Sequence, residues 1–220
     1  HMHAAVFMSV QQINTLRRAA LEGLKKAVIA DQSRTGAVRK AAPDLPDRGA
    51  DGEWSPLFSV LAETEEQLLA VRDAVVQAPE LFRRVYADLG LAEKTERSKE
   101  VKKAVQDIRD AGIELFAALP WIFRREEPGD DRGAELLRKV DILGADGVLI
   151  RNYEQYQLLE EEGFDKKTDL DHNLYVFNRC GKAFWNRLGV SGFSAPEELN
   201  ARGLGELGIR GAELTVYGYL

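Results

Sequence analysis

Short apolar runs rich in β-forming residues alternate with helix-forming runs along residues 54–220, and this alternation constrains the fold more than any other feature. The apolar runs lie at residues 56–62, 83–89, 113–120, 147–152, 166–177, 190–195 and 212–219. The helix-forming runs lie between them, near residues 64–77, 97–111, 132–143, 153–162, 179–188 and 197–207. Strands joined by crossover helices must run parallel, so the pattern predicts a parallel α/β domain.

Glycines mark the predicted boundaries between helices and the strands that follow them. Five boundaries carry one: Gly112, Gly144, Gly163, Gly189 and Gly208. Glycine is favoured just past a helix C-terminus because that position needs a left-handed backbone. Successive glycines of this set are 19 to 32 residues apart, which is the length of one β/α unit.

The number of predicted strands indicates an α/β fold of the parallel (β/α) barrel-like class over residues 54–220. Seven strands is one short of a complete barrel, and the sequence stops at Tyr219-Leu220, directly after a strand, with no covering helix. We therefore expect an incomplete barrel whose eighth strand comes from elsewhere. An open doubly wound sheet is the alternative architecture.

The residues before the repeat divide into a helical arm and a linker. Residues 1–30 form the predicted arm, in which the first two residues indicate a cloning remnant and apolar residues recur at helical spacing from Val10 to Val28. Residues 31–53 contain two prolines and the run DRGADGE, so they predict a polar linker.

Charge, cysteine content and hydropathy narrow the function classes. The formal net charge is -6, which disfavours a general nucleic-acid coat protein and a DNA partner. Cys180 is the only cysteine, so no internal disulfide can form, and one thiol alone does not hold zinc or an iron–sulfur cluster. Apolar runs fall short of the roughly 20 residues that span a bilayer. We expect a cytoplasmic protein with no membrane partner and with no metal or cofactor in these residues.

Sites in parallel α/β folds form where strands end and the following loops begin. Polar and basic residues at such positions make up the predicted site face: Arg124, Arg151, Asp171, Asn173, Asn178, Ser194, Glu197 and Tyr217. The catalytic residue stays unknown, because the zinc-protease H-E-x-x-H, the nucleophile elbow G-x-S-x-G, the P-loop and the strand-borne G-x-G-x-x-G are missing from the sequence.

Helix capping is a purely structural interpretation of several polar positions. Asn152-Tyr-Glu-Gln155, Ser194-Ala-Pro-Glu197 and Thr64-Glu-Glu-Gln67 all match N-capping patterns, in which a short polar side chain accepts the first free amides. For Ser194 the pattern also places Pro196 in the first helical turn. Capping is compatible with a binding site, so both interpretations stay open.

The run DLDHN near the fifth strand is denser in polar atoms than an interior strand should be. Alternation places Asp169, Asp171 and Asn173 on one face, which predicts a substrate or metal site. The alternatives are an irregular strand end and an acidic surface edge. His172 has the chemistry of a general base, but a single histidine at a loop edge is more often solvated. Cys180 lies at a helix start, and no histidine partner for a thiol nucleophile can be assigned.

Two runs combine basic and aromatic residues, at 121–125 and 178–187. Arginine and aromatic side chains together can hold phosphates and stack bases of RNA. In the second run Phe184, Trp185 and Leu188 recur at core spacing, which predicts packing against the sheet. The first run follows a strand and is the better RNA candidate.

Three segments share a pattern with a known family: DHNLYVFN (171–178), FSAPEEL (193–199) and TVYGYL (215–220). They resemble the collagenase-like peptidases, the thirty-second of the peptidase families of unknown catalytic type, which carry runs like S-L-N-V-F-N, S-P-E and V-Y-G-R-L-P-L-M. The opening VQQINTLRRAALEGL is similar to the helix that ends the collagenase-like module in long members.

The matching residues are those of the predicted site face. Asn173 and Asn178 match the two asparagines of the family, Ser194 and Glu197 match its serine and glutamate, and Tyr217 with the next glycine matches its tyrosine–glycine pair. Departures from the family pattern also occur: Ala195 separates the serine from the proline, Asp171-His172 replaces a serine region, and Tyr219 stands where arginine is common.

The resemblance spans nearly the whole chain and implies the C-terminal segment of a long bacterial member, with the N-terminal half of the same protein as partner. It implies one of two activities. A peptidase would use a carboxylate of the site face to activate water. A factor that supports pyrimidine hydroxylation in ribosomal or transfer RNA would bind phosphate with Arg124 and Arg151. A third alternative is a non-catalytic structural or substrate-binding half. We expect these 220 residues alone to be inactive, and the iron–sulfur cluster implied for some members to belong to a later segment.

Overall fold

The computed structural model describes residues 8–32, 56–124 and 131–218. Contacts between residues divide the chain into two units, His1–Pro43 and Asp44–Leu220. The described part of the first unit contains one helix, α1 (Val10–Gln32), whose side chains are all exposed. The predicted linker lies, apart from its first two residues, outside the described residues.

The second unit alternates strands and helices as the sequence predicts. Its strands are β1 (Phe58–Ala62), β2 (Phe82–Asp88), β3 (Glu114–Ala118), β4 (Gly147–Ile150), β5 (Lys167–Leu170) and β6 (Gly192–Phe193). Its helices are α2 (Glu65–Gln77), α3 (Leu91–Arg97), α4 (Lys99–Asp110), α5 (Arg132–Ile142), α6 (Tyr153–Glu161), α7 (Arg179–Arg187) and α8 (Ala201–Leu207). None of the helices in the described ranges is both long and apolar enough to cross a membrane.

The six strands form one sheet in the order β1-β2-β3-β4-β5-β6, and every neighbouring pair is parallel. Each crossover therefore leads to the adjacent strand, and right-handed crossovers of this kind place the helices on one face of the sheet. A doubly wound sheet reverses its strand order in the middle, so that alternative is wrong. The predicted parallel barrel-like fold is confirmed as an incomplete barrel wall, that is, one parallel sheet of six strands among the described residues.

Side-chain contacts show that this wall is curled. Arg84 on β2 forms an ion pair with Asp169 on β5, although β3 and β4 lie between them. On a flat sheet these two strands would be roughly 14 Å apart, which is too far for the Arg84 side chain to form an ion pair with Asp169. The inner face of the curled sheet therefore carries side chains that meet across it.

Alternation along the strands separates two buried layers. The layer between sheet and helices is the large apolar core, which includes Val85, Leu115, Val148 and Leu170. The inner face carries a second, smaller apolar group: Tyr86, Phe116, Ala118 and Leu149. Charged side chains surround that smaller group, and they are described with the candidate site.

Five predicted helix ends are confirmed by their glycines. Gly112, Gly144, Gly163, Gly189 and Gly208 all have positive φ, from 60° to 81°. In a left-handed backbone conformation a side chain would be strained, so each glycine ends its helix and turns the chain toward the next strand.

The predicted seventh strand at residues 212–219 is wrong. Within the described part of this segment, Glu213 alone forms a β-bridge, parallel to Ser194. The bridge ends there because Ala195 donates its N–H to Glu213 O and the following Pro196 has no N–H to continue a ladder. Residues 214–218 therefore run on without a strand partner.

The predicted fifth strand and two predicted helices also have different bounds. β5 ends at Leu170 because the Asp171 carboxylate accepts a hydrogen bond from His172 N and starts a 3-10 turn, His172–Leu174, which ends at Tyr175 with φ 52°. The helix predicted from residue 197 begins only at Ala201, since Asn200 caps it. The helix predicted at residues 97–111 corresponds to α4, which begins after an extended Ser98 that caps it, whereas α3 before it was not predicted.

Candidate functional site

The structure does not bring all the predicted site residues together. Arg151, Asp171 and Asn173 meet at the carboxyl ends of β4 and β5. With Trp121 and His172 they form a group that we name the rim cluster.

Arg151 is the centre of the rim cluster. Its side chain is fully buried, Nε donates to Asp171 Oδ2 at 2.8 Å, and Nη1 donates to Leu119 O at 2.8 Å. The guanidinium lies 3.9 Å from the ring centre of Trp121, a cation–π contact. The arginine therefore joins the carboxyl ends of β3, β4 and β5.

The second oxygen of Asp171 orients His172. Asp171 Oδ1 accepts from His172 N at 2.7 Å and lies 2.8 Å from His172 Nδ1. A carboxylate can only accept, so we assign the ring proton to Nδ1, which leaves Nε2 as an acceptor in the neutral ring. The imidazole also meets Trp121 edge to face at 5.8 Å, and its side chain is 32% exposed. The prediction of a merely solvated histidine is therefore wrong.

Amide side chains hold the rim loops together. Gln155, fully buried on α6, accepts from Arg151 N at 2.7 Å and donates to Pro120 O at 2.7 Å. Asn173 Nδ2 donates to Arg151 O at 2.8 Å. Asn152 caps α6 through Gln155 N, so its predicted capping role is confirmed, although the glutamine side chain binds Arg151 N instead of the cap.

Two buried polar atoms of the rim cluster have no hydrogen-bond partner among the described residues. They are Arg151 Nη2, a donor, and Asn173 Oδ1, an acceptor. Buried polar groups are nearly always paired in folded proteins. Unpaired atoms at the end of parallel strands are therefore candidates for contact with a ligand.

A second polar group lies deeper on the inner face of the sheet. It consists of Ser59, Arg84, Tyr86, Glu114, Lys167, Asp169 and Glu213, which we name the inner-face network. Arg84 is paired with Glu114 at 2.6 Å and with Asp169. Tyr86 Oη lies 2.9 Å from Glu213 Oε2, and Ser59 Oγ donates to Glu213 Oε1 at 2.6 Å, which ties β1 and β2 to the segment after β6.

Burial and charge shift the pKa values of the inner-face network. Burial raises the pKa of the Asp169 carboxyl above its usual value, and this outweighs the opposing attraction of Arg84. Burial also raises the pKa of Tyr86, with the negative charges of Glu213 and Asp169 adding to the effect. For Arg84 burial acts downward, but the neighbouring Tyr86, Asp169 and Glu114 together raise its pKa. Arg84 therefore keeps its positive charge, whereas burial disfavours the charged form of Asp169.

Stacking holds Arg84 in place. Its guanidinium lies 3.8 Å from the ring centre of Phe116, which is itself fully buried. The ring fits because Gly147 on the neighbouring strand has no side chain: a Cβ there would lie 2.6 Å from Phe116 Cζ. The charged network therefore depends on a glycine in β4.

The structure separates Asp169 from Asp171, contrary to the predicted common face. Asp169 lies on the inner face with Arg84, whereas Asp171 lies at the rim with Arg151. Alternation holds only within β5, and the 3-10 turn that follows breaks the period before Asn173. Asp169, Asp171 and Asn173 therefore do not form a single ligand set.

The remaining predicted site residues lie outside the rim cluster. Asn178 caps α7 by accepting from Gly181 N at 3.0 Å, and Arg124 is exposed after β3. Ser194 follows β6, but its predicted capping role is wrong because α8 starts later. Glu197 and Tyr217 line a separate groove of about 480 Å³ next to the segment after Glu213.

Trp121 and His172 were not part of the predicted site face, and Arg84, Glu114 and Glu213 were not predicted as functional residues. A usable signal exists for Arg84: two adjacent arginines open the predicted strand RRVYADL, and successive side chains of a strand point to opposite faces, so one of the two must point to the inner face. In the run at residues 178–187 and at Leu188 beyond it, the predicted packing role is confirmed for the buried Trp185 and for Leu188, which packs against the core, but it is wrong for Phe184, which is exposed.

Within the described ranges no group of three or more histidine, cysteine or acidic residues is arranged to hold a metal ion.

Comparisons with known proteins add only distant likenesses. No family model matches the chain, and no curated protein matches it. An uncharacterised B. cereus protein of known structure is 17% identical with a TM-score of 0.35, over 54% of this chain and 31% of its own. A xylose isomerase domain protein from Alicyclobacillus acidocaldarius subsp. acidocaldarius is 15% identical with a TM-score of 0.35, over 64% of this chain and 62% of its own. The chain thus spans less than two thirds of either solved structure, and likenesses this low carry no functional argument.

Proposed function

We propose that the Asp171–His172 pair is the acid–base centre of a hydrolase, in line with the peptidase activity implied by the resemblance to collagenase-like peptidases. One observation carries the proposal: Asp171 Oδ1 lies 2.8 Å from His172 Nδ1 while Arg151 holds the other carboxylate oxygen. A histidine oriented by a carboxylate at the carboxyl end of a parallel sheet is the arrangement that proton transfer requires.

The reaction follows from the assigned tautomer. His172 Nε2 accepts a proton from a water molecule, whose oxygen attacks the carbonyl carbon of the peptide bond. The protonated ring then donates this proton to the leaving nitrogen as the C–N bond breaks. Asp171 stabilises the charged imidazole during the step, and Arg151 keeps the carboxylate in position.

The resemblance implies that this segment works together with the N-terminal half of the same protein. The carboxyl edge of the sheet supplies the acid–base pair, and the partner half would complete the substrate cleft. We therefore expect residues 1–220 alone to bind substrate weakly and to be inactive in hydrolysis. Full-length protein and the 220-residue chain are to be assayed side by side.

The test is His172→Gln in the full-length protein, assayed on fluorescent gelatin and casein. Loss of a general base lowers kcat/KM by about 100-fold or more, so this variant should lose nearly all cleavage while its circular dichroism spectrum is unchanged. Cys180→Ser, which removes an exposed thiol on α7, is the matched control and should cleave like the wild type. Full activity in His172→Gln would rule out this site as the acid–base centre.

A second candidate function, support of RNA modification, rests on exposed aromatic and basic groups at the same edge. Trp121 is 48% exposed with Arg124 close in sequence, and the half-exposed rings of Tyr175 and Phe177 stack in parallel at 5.4 Å. Such groups stack bases and hold phosphates of single-stranded RNA. Loss of a hydroxylated pyrimidine in a deletion strain, restored by the wild type but not by Trp121→Ala, would favour it over hydrolysis. Activity of neither kind would favour a non-catalytic half.

A further inference from the structure

We propose that Arg151 binds an oxyanion of the substrate, a carboxylate or a phosphoryl group, through its Nη2 nitrogen beneath Trp121. This inference rests on the proposed function only in placing the substrate at the rim cluster. It assigns the substrate a negatively charged group, which the acid–base pair does not require.

The hydrogen bonds of Arg151 are incomplete within the protein. A guanidinium has five N–H donors. Nε donates to Asp171 and Nη1 donates to Leu119 O, whereas Nη2 has no partner among the described residues although the side chain is fully buried. A buried cationic donor without an acceptor is costly to maintain, and a ligand that supplies the acceptor removes that cost on binding.

The Asp171 carboxylate, which faces Arg151, also binds His172. Asp171 gives Oδ2 to the arginine, while its Oδ1 accepts from His172 N and lies 2.8 Å from His172 Nδ1. The remaining guanidinium edge is a planar pair of N–H groups, the geometry that matches carboxylate and phosphoryl oxygens. An oxyanion offers two oxygens to this pair of N–H groups and makes charge-assisted hydrogen bonds, which are about twice as strong as those to a neutral carbonyl.

Asn173 adds an acceptor at the same junction. Its Nδ2 donates to Arg151 O, which holds the loop after β5 against the end of β4, and its buried Oδ1 has no donor among the described residues. A ligand that carries an N–H or O–H group beside its oxyanion satisfies this oxygen. The C-terminal residue of a peptide has such an N–H group, and a phosphate monoester has such an O–H group in its singly charged form.

Trp121 controls access to Arg151. The indole lies 3.9 Å from the guanidinium carbon and also contacts His172, yet it is 48% exposed and belongs to no helix or strand. An oxyanion therefore reaches Nη2 when the indole moves outward. The fluorescence of Trp121 should report this movement directly.

The experiment titrates the 220-residue chain with inorganic phosphate and, separately, with N-acetylglycine, at constant ionic strength. Saturable change of tryptophan fluorescence, absent in Trp121→Phe, and a matching calorimetric isotherm are expected. A response to phosphate alone indicates a phosphoryl group, a response to N-acetylglycine alone indicates a carboxylate, and both responses support the shared chemistry. No saturable binding of either probe overturns the inference.

Variants separate a specific contact from general charge. Arg151→Lys keeps the positive charge beside Asp171 but loses Nη2, so its affinity should fall about tenfold or more. Arg138→Lys, a surface change on α5, is the matched control and should bind like the wild type. Equal affinity of the folded Arg151→Lys and wild-type proteins contradicts the inference.

A third variant keeps the inference testable if Arg151→Lys fails to fold. Trp121→Ala removes an exposed side chain and uncovers Nη2, so calorimetry should show tighter binding of the responsive probe; weaker binding contradicts the inference. His172→Gln distinguishes this inference from the proposed function. Retained binding with lost hydrolysis supports both, retained binding with retained hydrolysis refutes only the acid–base role, and absent binding in the wild type refutes only the oxyanion site.

Discussion

Gly147→Ala tests the packing of the inner face with the smallest possible change. The added Cβ would lie 2.5 Å from the backbone oxygen of Lys167 and 2.6 Å from Phe116 Cζ. Carbon atoms pack best at about 3.5–4.0 Å, so each neighbour would have to yield by about 1 Å. Gly147 is buried in β4 and is paired with Lys167 in the ladder, so the carbonyl cannot move without disturbing the sheet.

The aromatic ring is no freer to move than the carbonyl. Phe116 is fully buried and carries the Arg84 guanidinium on its face at 3.8 Å, and that arginine is held by Glu114 and Asp169. Overpacking a core costs about 1–3 kcal/mol, and two constrained neighbours indicate the upper end. Replacing glycine also restricts the unfolded chain, which returns about 0.4–1 kcal/mol. The expected net loss in the free energy of unfolding is about 2–3 kcal/mol.

Urea denaturation followed by far-ultraviolet circular dichroism measures this loss. The midpoint should fall with an unchanged slope, and a thermal melt should shift down by about 5–10 °C. Gly205→Ala on α8 is the matched control, because a Cβ there meets nothing within 4 Å, and it should stabilise the protein by up to about 1 kcal/mol.

A double-mutant cycle identifies the ring as the obstacle. Phe116→Leu should cost less stability in the Gly147→Ala background than in the wild type, since the shorter side chain relieves part of the crowding. A wild-type midpoint for Gly147→Ala would refute the close approach of β4, β5 and Phe116. Additive effects of the two substitutions would leave only the backbone contact as the cause.

Two further predictions concern the inner-face network. Because burial raises the folded-state pKa of Asp169 above its unfolded value, its contribution to stability is full below the unfolded pKa and is lost as pH rises through the folded pKa. Urea midpoints of the wild type and of Asp169→Asn are to be compared at pH 4 and at pH 7. The wild type should be more stable relative to the variant at pH 4 than at pH 7, and the opposite order would contradict the assigned cause. Glu213→Ala removes the acceptor for Ser59 and Tyr86, so amide exchange at positions 213 and 195 should speed up by about tenfold while β4 stays protected. Equal exchange in both proteins would show that Glu213 does not fasten this segment.

Local patterns predicted most of the elements but not all of their ends. The glycine spacing located five helix ends correctly, since a left-handed residue stops a helix whatever surrounds it. The strand predicted at residues 166–177 was too long, because β-forming residues continue to Phe177 although Asp171 has already started a 3-10 turn. The strand predicted at residues 212–219 failed for a non-local reason, since its neighbour reaches Pro196 and can pair no further.

The candidate site was predicted only in part, because some of its contacts depend on residues that are distant in the sequence. Arg151, Asp171 and Asn173 could be predicted to lie together, because parallel strands present their carboxyl ends at one edge. The contact of His172 could not be predicted, because it depends on the direction of the Asp171 carboxylate. That direction is set by Arg151, twenty residues earlier in the chain.

The alternation of apolar runs and helices, ended by glycines, determined a parallel α/β wall from the sequence alone, because each β/α unit is a local arrangement of its own residues. The curl of that wall was decided only by the tertiary structure. Arg84 and Asp169 are 85 residues apart in sequence and meet only because the sheet bends, and Trp121 covers Arg151 only because the loops after β3 and β4 converge. Such pairings depend on the relative placement of distant strands, on which local propensity has no bearing.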